Sequence, residues 1–353
     1  MTHETGETAG GRIYGFGIIG CGVISDTHLQ AIQSLPNARV VAVCDTRPDL
    51  AQAQAAAYGA VPYTDCAQML QRDDLDVVNV VTPSGLHARL GRQVARAGKH
   101  VITTKPIDIT LEAIDSLIAA CRDHGVKLGV MLQLRSYPFF RRIESAVREG
   151  KLGRLYYGAA IVPWFRSHEY YAQGWQGTRA LDGGGALMNQ SIHYIDLLLA
   201  LMGKASEVCG FADNLAHEIE VEDLATAAVK FASGAHGVIQ GTTLTYEGLP
   251  ARLELHGSRG NVRVVGEDLQ LWQIEGEETY YDPEAGLHKG GAADPKSGMV
   301  GYAVQAHAEQ IADVLAAIEE EREPKLSGEE ARRAVELILA IYQSSAERRF
   351  IKL

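Results

Sequence analysis

The chain has 353 residues, of which 46% are hydrophobic and 22% are charged, so it can fill more than one core and differs in composition from disordered proteins. Its 33 Lys and Arg against 44 Asp and Glu give a formal charge of −11 without a basic cluster, which argues against nucleic acid as a partner. The five cysteines form no C-x-x-C pair, which favours buried free thiols over a metal site or a disulfide.

The N-terminal segment 1–11 is polar and lacks the basic start and the apolar stretch of a secretory signal. We therefore expect it to be a disordered tail. No apolar segment approaches the roughly 20 residues that span a bilayer. These patterns predict a cytoplasmic protein with no membrane partner.

The first third of the chain alternates between strand and helix patterns. Strands are predicted at 13–19, 39–44, 76–81, 100–103 and 127–132. Helices are predicted at 23–35, from 48 to near 59, at 84–97 and at 110–124. Strands separated by helices of this length predict a doubly wound α/β domain, with a parallel sheet and helices on both faces.

A glycine turn between the first strand and the first helix is the first motif with a chemical meaning. Gly20 permits a tight turn, Gly22 lets the backbone approach a pyrophosphate, and the next helix offers its N-terminal amides. About 23 residues later, Asp45 ends the second strand, where a carboxylate accepts hydrogen bonds from the adenosine ribose and repels a 2′-phosphate. The pattern predicts a Rossmann domain over 12–130 that binds NAD, with NADP less favoured although Arg47 could tolerate a phosphate.

The pattern changes after residue 153. Strands with short turns are predicted at 154–165, 222–232, 235–246, 251–257, 261–265 and 268–274, which is typical of a mostly antiparallel sheet. Helices are predicted at 185–202, 302–320 and 328–348. Ser327 and Glu330 form a capping box at the last helix. The stretch 281–298 is predicted to be a long loop that acts as a lid or an oligomer contact.

In this order, several segments resemble the Gfo/Idh/MocA oxidoreductases, the glucose-fructose oxidoreductase and inositol dehydrogenase family. The resemblance covers almost the whole chain after Arg12. It rests on Gly20-Cys21-Gly22-Val23-Ile24, Asp45, Thr82-Pro83 with His87, Lys105-Pro106, Gln133 with Arg135, Gly183-Gly184-Gly185 through His193 to Asp196, and Ala340-Ile341-Tyr342. It implies that 131–353 form an α+β domain with a large, open-faced sheet that binds substrate and joins subunits into a homodimer or homotetramer. The last helix of that domain could pack back on the Rossmann domain.

The resemblance also implies reversible hydride transfer between nicotinamide and a secondary hydroxyl of a sugar, glycoside, cyclitol or sugar nucleotide. It places the family's lysine at Lys105 and its histidine at His193. The residues that it assigns to the cofactor are Gly20, Cys21, Gly22, Val23, Ile24, Asp45, Thr82, Pro83, Ser84, His87, Thr104, Lys105, Pro106 and Gln133.

Residue chemistry supports the lysine and the histidine independently. Lys105 follows a predicted strand, and open α/β sheets bind ligands beyond the carboxyl ends of their strands. His193 lies four residues after Asn189 on one predicted helix, so the two share a face, and an imidazole can accept a hydroxyl proton. We predict Lys105, His193 and Asn189 as the catalytic group.

Two positions depart from the family pattern. The family often has Glu before the Lys-Pro pair and Asp four residues before the histidine, where this chain has Thr104 and Asn189. Asn189 can hydrogen-bond a sugar hydroxyl, but it cannot stabilise an imidazolium by charge. The base is therefore either Lys105 or His193. Because Thr104 removes a carboxylate, a raised pKa for Lys105 is not expected.

Aromatic residues and cations between 164 and 179 predict a sugar site, because aromatic faces stack on sugar rings and arginine binds carboxylate or phosphate. A core or interface role for these aromatics is the alternative. The stretch 170–196 is similar both to the family branch that oxidises UDP-linked amino-sugar acids at the 3-hydroxyl and to glycoside dehydrogenases. The predicted substrate residues are Arg135, Trp164, Arg166, Tyr171, Trp175, Asn189 and His193.

Two other functions stay open at this point. One is a redox-neutral glycosidase or lyase that holds NAD tightly, and the other is a nonenzymatic NAD-binding sensor.

Overall fold

A computed structural model describes residues 12–172, 174–286 and 300–353. The predicted tail and most of the predicted loop at 281–298 lie outside the described residues. No helix in the described ranges is long and apolar enough to cross a membrane.

The first part of the described chain forms a six-stranded parallel sheet in the order β3-β2-β1-β4-β5-β6, which confirms the doubly wound prediction. Its strands are β1 (Tyr14–Ile19), β2 (Ala38–Cys44), β3 (Val61–Tyr63), β4 (Val77–Val80), β5 (His100–Thr104) and β6 (Leu128–Met131). Its helices are α1 (Val23–Gln33), α2 (Pro48–Tyr58), α3 (Cys66–Met69), α4 (His87–Arg96), which follows a 3-10 turn at Ser84–Leu86, and α5 (Leu111–Asp123). Strand β3 and helix α3 were not predicted, because both are too short to show a period.

The strand order reverses between β1 and β4, so the loops at their carboxyl ends diverge and open a crevice. Gly20 lies at this point with φ 99°, and a Cβ there would lie 2.8 Å from the carbonyl oxygen of Val81. The turn after β1 therefore packs directly on the end of β4, an approach that needs glycine.

The second sheet, as far as the chain is described, has nine strands in the order β14-β13-β12-β11-β7-β10-β9-β8-β15. They are β7 (Leu155–Pro163), β8 (Ala205–Asp213), β9 (Leu224–Phe231), β10 (His236–Thr242), β11 (Arg252–Gly257), β12 (Gly260–Val265), β13 (Asp268–Ile274), β14 (Tyr280–Tyr281) and β15 (Ile351–Lys352). Neighbours are antiparallel except β7 and β10, which confirms the mostly antiparallel prediction. Strands β8, β14 and β15 were not predicted.

The helices of the second part are α6 (Pro138–Arg148), α7 (His168–Tyr171), α8 (Ile192–Met202), α9 (Val300–Glu319) and α10 (Gly328–Glu347). Helices α6 and α7 were not predicted. The predicted regular helix at 185–202 is wrong at its start, because Ala186–Ser191 form a π-helix before α8. There the amide of Gln190 donates to the carbonyl of Gly185, five residues back, at 3.2 Å.

The last two helices connect the two parts of the molecule. Helix α9 packs on α1, and α10 packs on β8, α8 and α5. At the start of α10 the Ser327 hydroxyl accepts a hydrogen bond from the amide of Glu330, which is one half of the predicted capping box. The Glu330 carboxylate, which the other half requires, instead contacts Arg135 and Arg333.

Candidate active site

A cleft of about 2000 Å³ runs from the crevice of the first sheet to the second sheet. Ordinary ligand pockets measure roughly 300–1,000 Å³, so this cleft has room for a dinucleotide and a second ligand together. The predicted residues that line it are Gly20, Gly22, Val23, Ile24, Asp45, Thr82, Pro83, Ser84, Thr104, Lys105, Gln133, Trp164, Arg166, Trp175, Asn189 and His193.

The glycine turn has the features that a pyrophosphate needs. A Cβ on Gly22 would meet no atom within 4 Å, and α1 starts there without a side-chain cap, so its first amides are available to a ligand. Asp45 accepts hydrogen bonds from the amides of Cys21 at 2.7 Å and Arg47 at 2.8 Å. These bonds fix the carboxylate beside the turn, and the arrangement fits a dinucleotide.

Lys105 enters the cleft at the carboxyl end of β5, where its bond to Pro106 is cis. Its Nζ donates to the carbonyl oxygen of Asn189 at 2.5 Å and to Asn189 Oδ1 at 3.1 Å. Burial lowers the pKa of Lys105 to about 8; Arg166 lowers it as well, and Asp182 acts in the opposite direction. A lysine with this pKa can exchange a proton near neutral pH.

Asp182 supplies a carboxylate that the sequence analysis missed. It is 1% exposed, accepts from Asn189 Nδ2 at 2.6 Å and from the amide of Gly177 at 2.8 Å, and burial raises its pKa to about 6. Its position directly before the glycine run was the available signal, but no periodic pattern relates Asp182 to Lys105. The site therefore has a carboxylate close to Asn189, although position 189 is itself an amide.

His193 lies at the second residue of α8 and lines the cleft with Asn189. Burial first, and then Lys105, lowers its pKa well below the ordinary value for histidine. Its Nδ1 has no hydrogen-bond partner in the described parts of the chain. At neutral pH this imidazole is uncharged and can accept or share a proton.

The start of the π-helix is held by a buried carboxylate that was also missed. Glu222 accepts from the amides of Gly185 at 3.0 Å and Leu187 at 2.8 Å, and from the hydroxyl of Tyr342 at 2.7 Å. Burial raises the pKa of Glu222. These bonds satisfy the first amides of the segment that carries Asn189.

Arg166 lines the cleft and is held there by several contacts. Its guanidinium carbon lies 5.4 Å from the ring centre of Trp164 and 5.3 Å from that of Tyr170. It donates to Gln190 Oε1 at 2.7 Å and to the carbonyl of Phe165 at 2.8 Å. No carboxylate pairs with it within the described residues. Tyr170 and Gln190 line the cleft too, and neither was predicted as a site residue.

Five predicted site residues lie outside the lining of this cleft: Cys21, His87, Pro106, Arg135 and Tyr171. Cys21 is buried and acts through its backbone amide, and Pro106 is buried behind Lys105. Tyr171 donates its hydroxyl to Thr243 at 3.1 Å.

His87 and Arg135 are held away from the cleft by bonds inside the protein. His87 is buried with one ring nitrogen 2.8 Å from the carbonyl of Thr82 and the other 2.8 Å from that of Pro106, so it joins two loops of the cleft. Arg135 makes two 2.6 Å bonds to Asp196 and one of 3.0 Å to Glu330, which leaves its guanidinium committed inside the protein.

Known proteins share the domains and the fold of this chain. Residues 14–132 match the oxidoreductase family with an NAD-binding Rossmann fold, and residues 140–263 match the GFO/IDH/MocA C-terminal domain. The chain belongs to the Gfo/Idh/MocA family. The predicted family resemblance, the fold and the general class of NAD-binding oxidoreductase are therefore confirmed.

Individual Gfo/Idh/MocA relatives cover nearly the whole chain. Inositol 2-dehydrogenase from Rhizobium meliloti is 28% identical over 96% of this chain and 98% of its own length. The WlbA dehydrogenase from Bordetella pertussis, solved in complex with NADH and UDP-GlcNAcA, is 34% identical with a TM-score of 0.85, covering 97% of this chain and 99% of that one. Aldose-aldose oxidoreductase from Caulobacter crescentus, 24% identical with a TM-score of 0.83 over 97% of this chain and 100% of its own, shares the fold.

Proposed function

We propose that this Gfo/Idh/MocA protein is an NAD-dependent dehydrogenase that moves a hydride between nicotinamide and a secondary CH–OH group of a sugar. The observation that carries the proposal is Lys105, which lies in the cleft at the end of β5 with two hydrogen bonds to Asn189 and a pKa of about 8. Bound NAD supplies the hydride acceptor. The chain supplies the groups that hold the sugar and take its proton.

We assign the proton to Lys105. A neutral lysine has two N–H groups and one lone pair, and the two donors are satisfied by the backbone and side-chain oxygens of Asn189. The lone pair is then left for the substrate hydroxyl, whose proton Nζ accepts as the C–H bond breaks. His193 is neutral and serves as a second hydrogen-bond partner for that hydroxyl.

Preference for NAD over NADP follows from the end of β2. The Asp45 carboxylate is anchored beside the glycine turn, and we expect it to face the adenosine ribose and to disfavour an added phosphate. Arg47, which could have countered this effect, pairs with Asp49 at 2.9 Å.

The substrate that fits best is a sugar with an acidic group. Arg166 is fixed between two aromatic rings with no carboxylate in contact from the described part of the protein, so a negative substrate group would complete its pairing. The 34% identical relative binds UDP-GlcNAcA, and the cleft has room for a dinucleotide beside a sugar nucleotide. We therefore favour UDP-linked amino-sugar acids over plain glycosides.

We also propose a homodimer or homotetramer formed through the second sheet. Phe211, on β8, is 68% exposed beside the exposed Thr226 and Ala228 of β9, so this face of the sheet is open to a partner. Sedimentation velocity on wild type and Phe211→Lys tests this, and a wild-type monomer at micromolar concentration would exclude it.

The experiment that tests the activity is NADH absorbance with purified protein, NAD and a panel of UDP-sugar acids, UDP-sugars, free sugars, inositols and glycosides, with products identified by mass spectrometry. We expect NADH with UDP-sugar acids and a 3-keto or other keto product. Glycosidic bond cleavage without NADH would instead establish the redox-neutral enzyme, and ligand binding without any reaction would establish a sensor.

A further inference from the structure

Lys105 is linked to a second charged group through one side chain. Asn189 receives hydrogen bonds from Lys105 Nζ on its Oδ1 at 3.1 Å, and its Nδ2 donates to Asp182 Oδ1 at 2.6 Å. Asp182 itself does not line the cleft, so it reaches a substrate through Asn189 and through the effect of its charge on Lys105. A carboxylate, an amide and an amine are thus joined in a row from the protein interior to the cleft.

We propose that Asp182 is a positioning residue, whose carboxylate orients the Asn189 amide so that the amide oxygen faces the amine of Lys105. This inference rests on the proposed role of Lys105 as proton acceptor. It adds a residue to the site, because Asp182 takes the place of a carboxylate at position 189.

The orientation follows from hydrogen-bond chemistry. An amide side chain has one accepting and one donating end, and a carboxylate only accepts. The bond to Asp182 therefore requires the NH₂ end to face inward, which directs the oxygen to Lys105. The opposite orientation would place donors of Asn189 and Lys105 against each other and leave an acceptor against the carboxylate. Asp182 is itself fixed by the amide of Gly177 at 2.8 Å.

The charges around this row make the effect of Asp182 distinguishable from that of its neighbours. Arg166 acts on Lys105 from the segment after β7, and Lys105 in turn disfavours the charged form of His193 on α8 and of His87 on α4. Arg166 is the cationic neighbour that lowers the pKa of Lys105.

Asp182 raises the pKa of Lys105, opposite to burial and Arg166. The Glu222 carboxylate raises the pKa of Asp182, and the charge of Asp182 raises the pKa values of Tyr170 and Tyr171. Removing the Asp182 charge should therefore lower the pKa of Lys105 from about 8, and moving the charge to position 189 should raise it.

The test is the pH dependence of Lys105 acetylation by trace acetic anhydride, read by mass spectrometry on the full-length protein, because the reagent reacts with the neutral amine and no turnover is needed. We compare wild type, Asp182→Asn, Asn189→Asp, and the swap Asp182→Asn/Asn189→Asp. We expect the midpoint for Lys105 to fall by about one pH unit in Asp182→Asn and to rise in Asn189→Asp, the size that one nearby charge produces. The swap should return the midpoint to or above that of wild type.

Glu220→Gln is the matched control, since Glu220 is an exposed carboxylate nearby that bonds the amide of Arg179 and is not part of the row. It should leave the midpoint unchanged. Midpoints that agree between wild type and Asp182→Asn, with NADH binding retained, would overturn the inference. If Asp182→Asn does not fold, the double variant Asp182→Asn/Asn189→Asp tests the inference instead, because it keeps one carboxylate beside Lys105. A lower acetylation midpoint for Lys105 in that double variant would then overturn the inference.

The outcome is separate from the proposed activity. A protein with the expected midpoints and no dehydrogenase activity would keep the role of Asp182 and remove the proposed function. In an active enzyme, the acidic limb of the plot of kcat/KM against pH should move to lower pH in Asp182→Asn. KM itself should change less than kcat/KM does.

Discussion

Replacing Arg135 by Leu tests whether this residue stabilises the fold or binds substrate. The Arg135 side chain is 11% exposed, its partner Asp196 is 2% exposed, and two bonds of 2.6 Å join them. In Arg135→Leu the Asp196 carboxylate stays buried without its cation. Removal of one partner from a buried pair costs about 3–5 kcal/mol in the free energy of unfolding.

The loss should depend on pH in a defined direction. Burial raises the pKa of Asp196 above 3.8, and Arg135 opposes that rise. Without Arg135 the folded-state pKa is higher still. A carboxyl group whose pKa is raised by folding contributes stability below its unfolded-state pKa. It loses that contribution as the pH rises through its folded-state pKa. The difference in unfolding free energy between wild type and Arg135→Leu should therefore be smallest near pH 4 and grow toward neutral pH.

The assay is urea unfolding followed by tryptophan fluorescence at several pH values, with KM for the substrate measured in parallel. Arg259→Leu is the control, because Arg259 and Glu275 form an ion pair at 2.7 Å with side chains 57% and 67% exposed. Its loss should cost about 0–1 kcal/mol. An Arg135→Leu protein with unchanged stability and a strongly raised KM would refute this reasoning and return Arg135 to the substrate site.

Five further substitutions examine the cleft and the glycine run before the π-helix. Asp45→Ala should weaken NAD binding about tenfold or more and reduce discrimination against NADP, measured by fluorescence titration with both cofactors; equal affinities before and after would remove the ribose assignment. Lys105→Ala and His193→Ala should each keep NAD affinity and lower kcat by about 10²-fold or more, and wild-type turnover in either would exclude that residue. Arg166→Leu should raise KM for an acidic sugar about tenfold or more and change KM for a neutral one little, whereas equal effects on both would reject carboxylate pairing. Gly184→Ala should destabilise the fold by about 1–3 kcal/mol in urea unfolding, because its Cβ would lie 2.2 Å from the Tyr342 hydroxyl oxygen and 2.7 Å from Met188 Cβ; a fully stable variant would contradict the packing.

The features that the sequence predicted best are local. The turn after β1 and Asp45 after β2 are each set by a strand end and its following residues, and the position of Lys105 follows from the end of β5. In a parallel sheet such ends meet at one edge, so their proximity could be inferred without coordinates.

The features that were missed depend on partners distant in the chain. Arg135 bonds Asp196, 61 residues away, and Glu330, 195 residues away, and no pattern predicts that it prefers them to a ligand. The roles of Asp182 and Glu222 likewise depend on their bonding partners, since the sequence alone allows either carboxylate to be exposed. Which charged side chains are buried and paired is decided only when distant parts of the chain pack together.

The π-helix before α8 has a consequence for changes in chain length. It holds one residue more than a regular helix would need over the same rise, and each residue of an α-helix turns about 100°. Deleting Gln190 or Ser191, which follow Asn189, would allow a regular helix to form there and would rotate Asn189 by about that angle relative to α8. The bonds from Asn189 to Lys105 and Asp182 depend on its present direction, so this shortening would break them while giving the segment a more regular helical geometry.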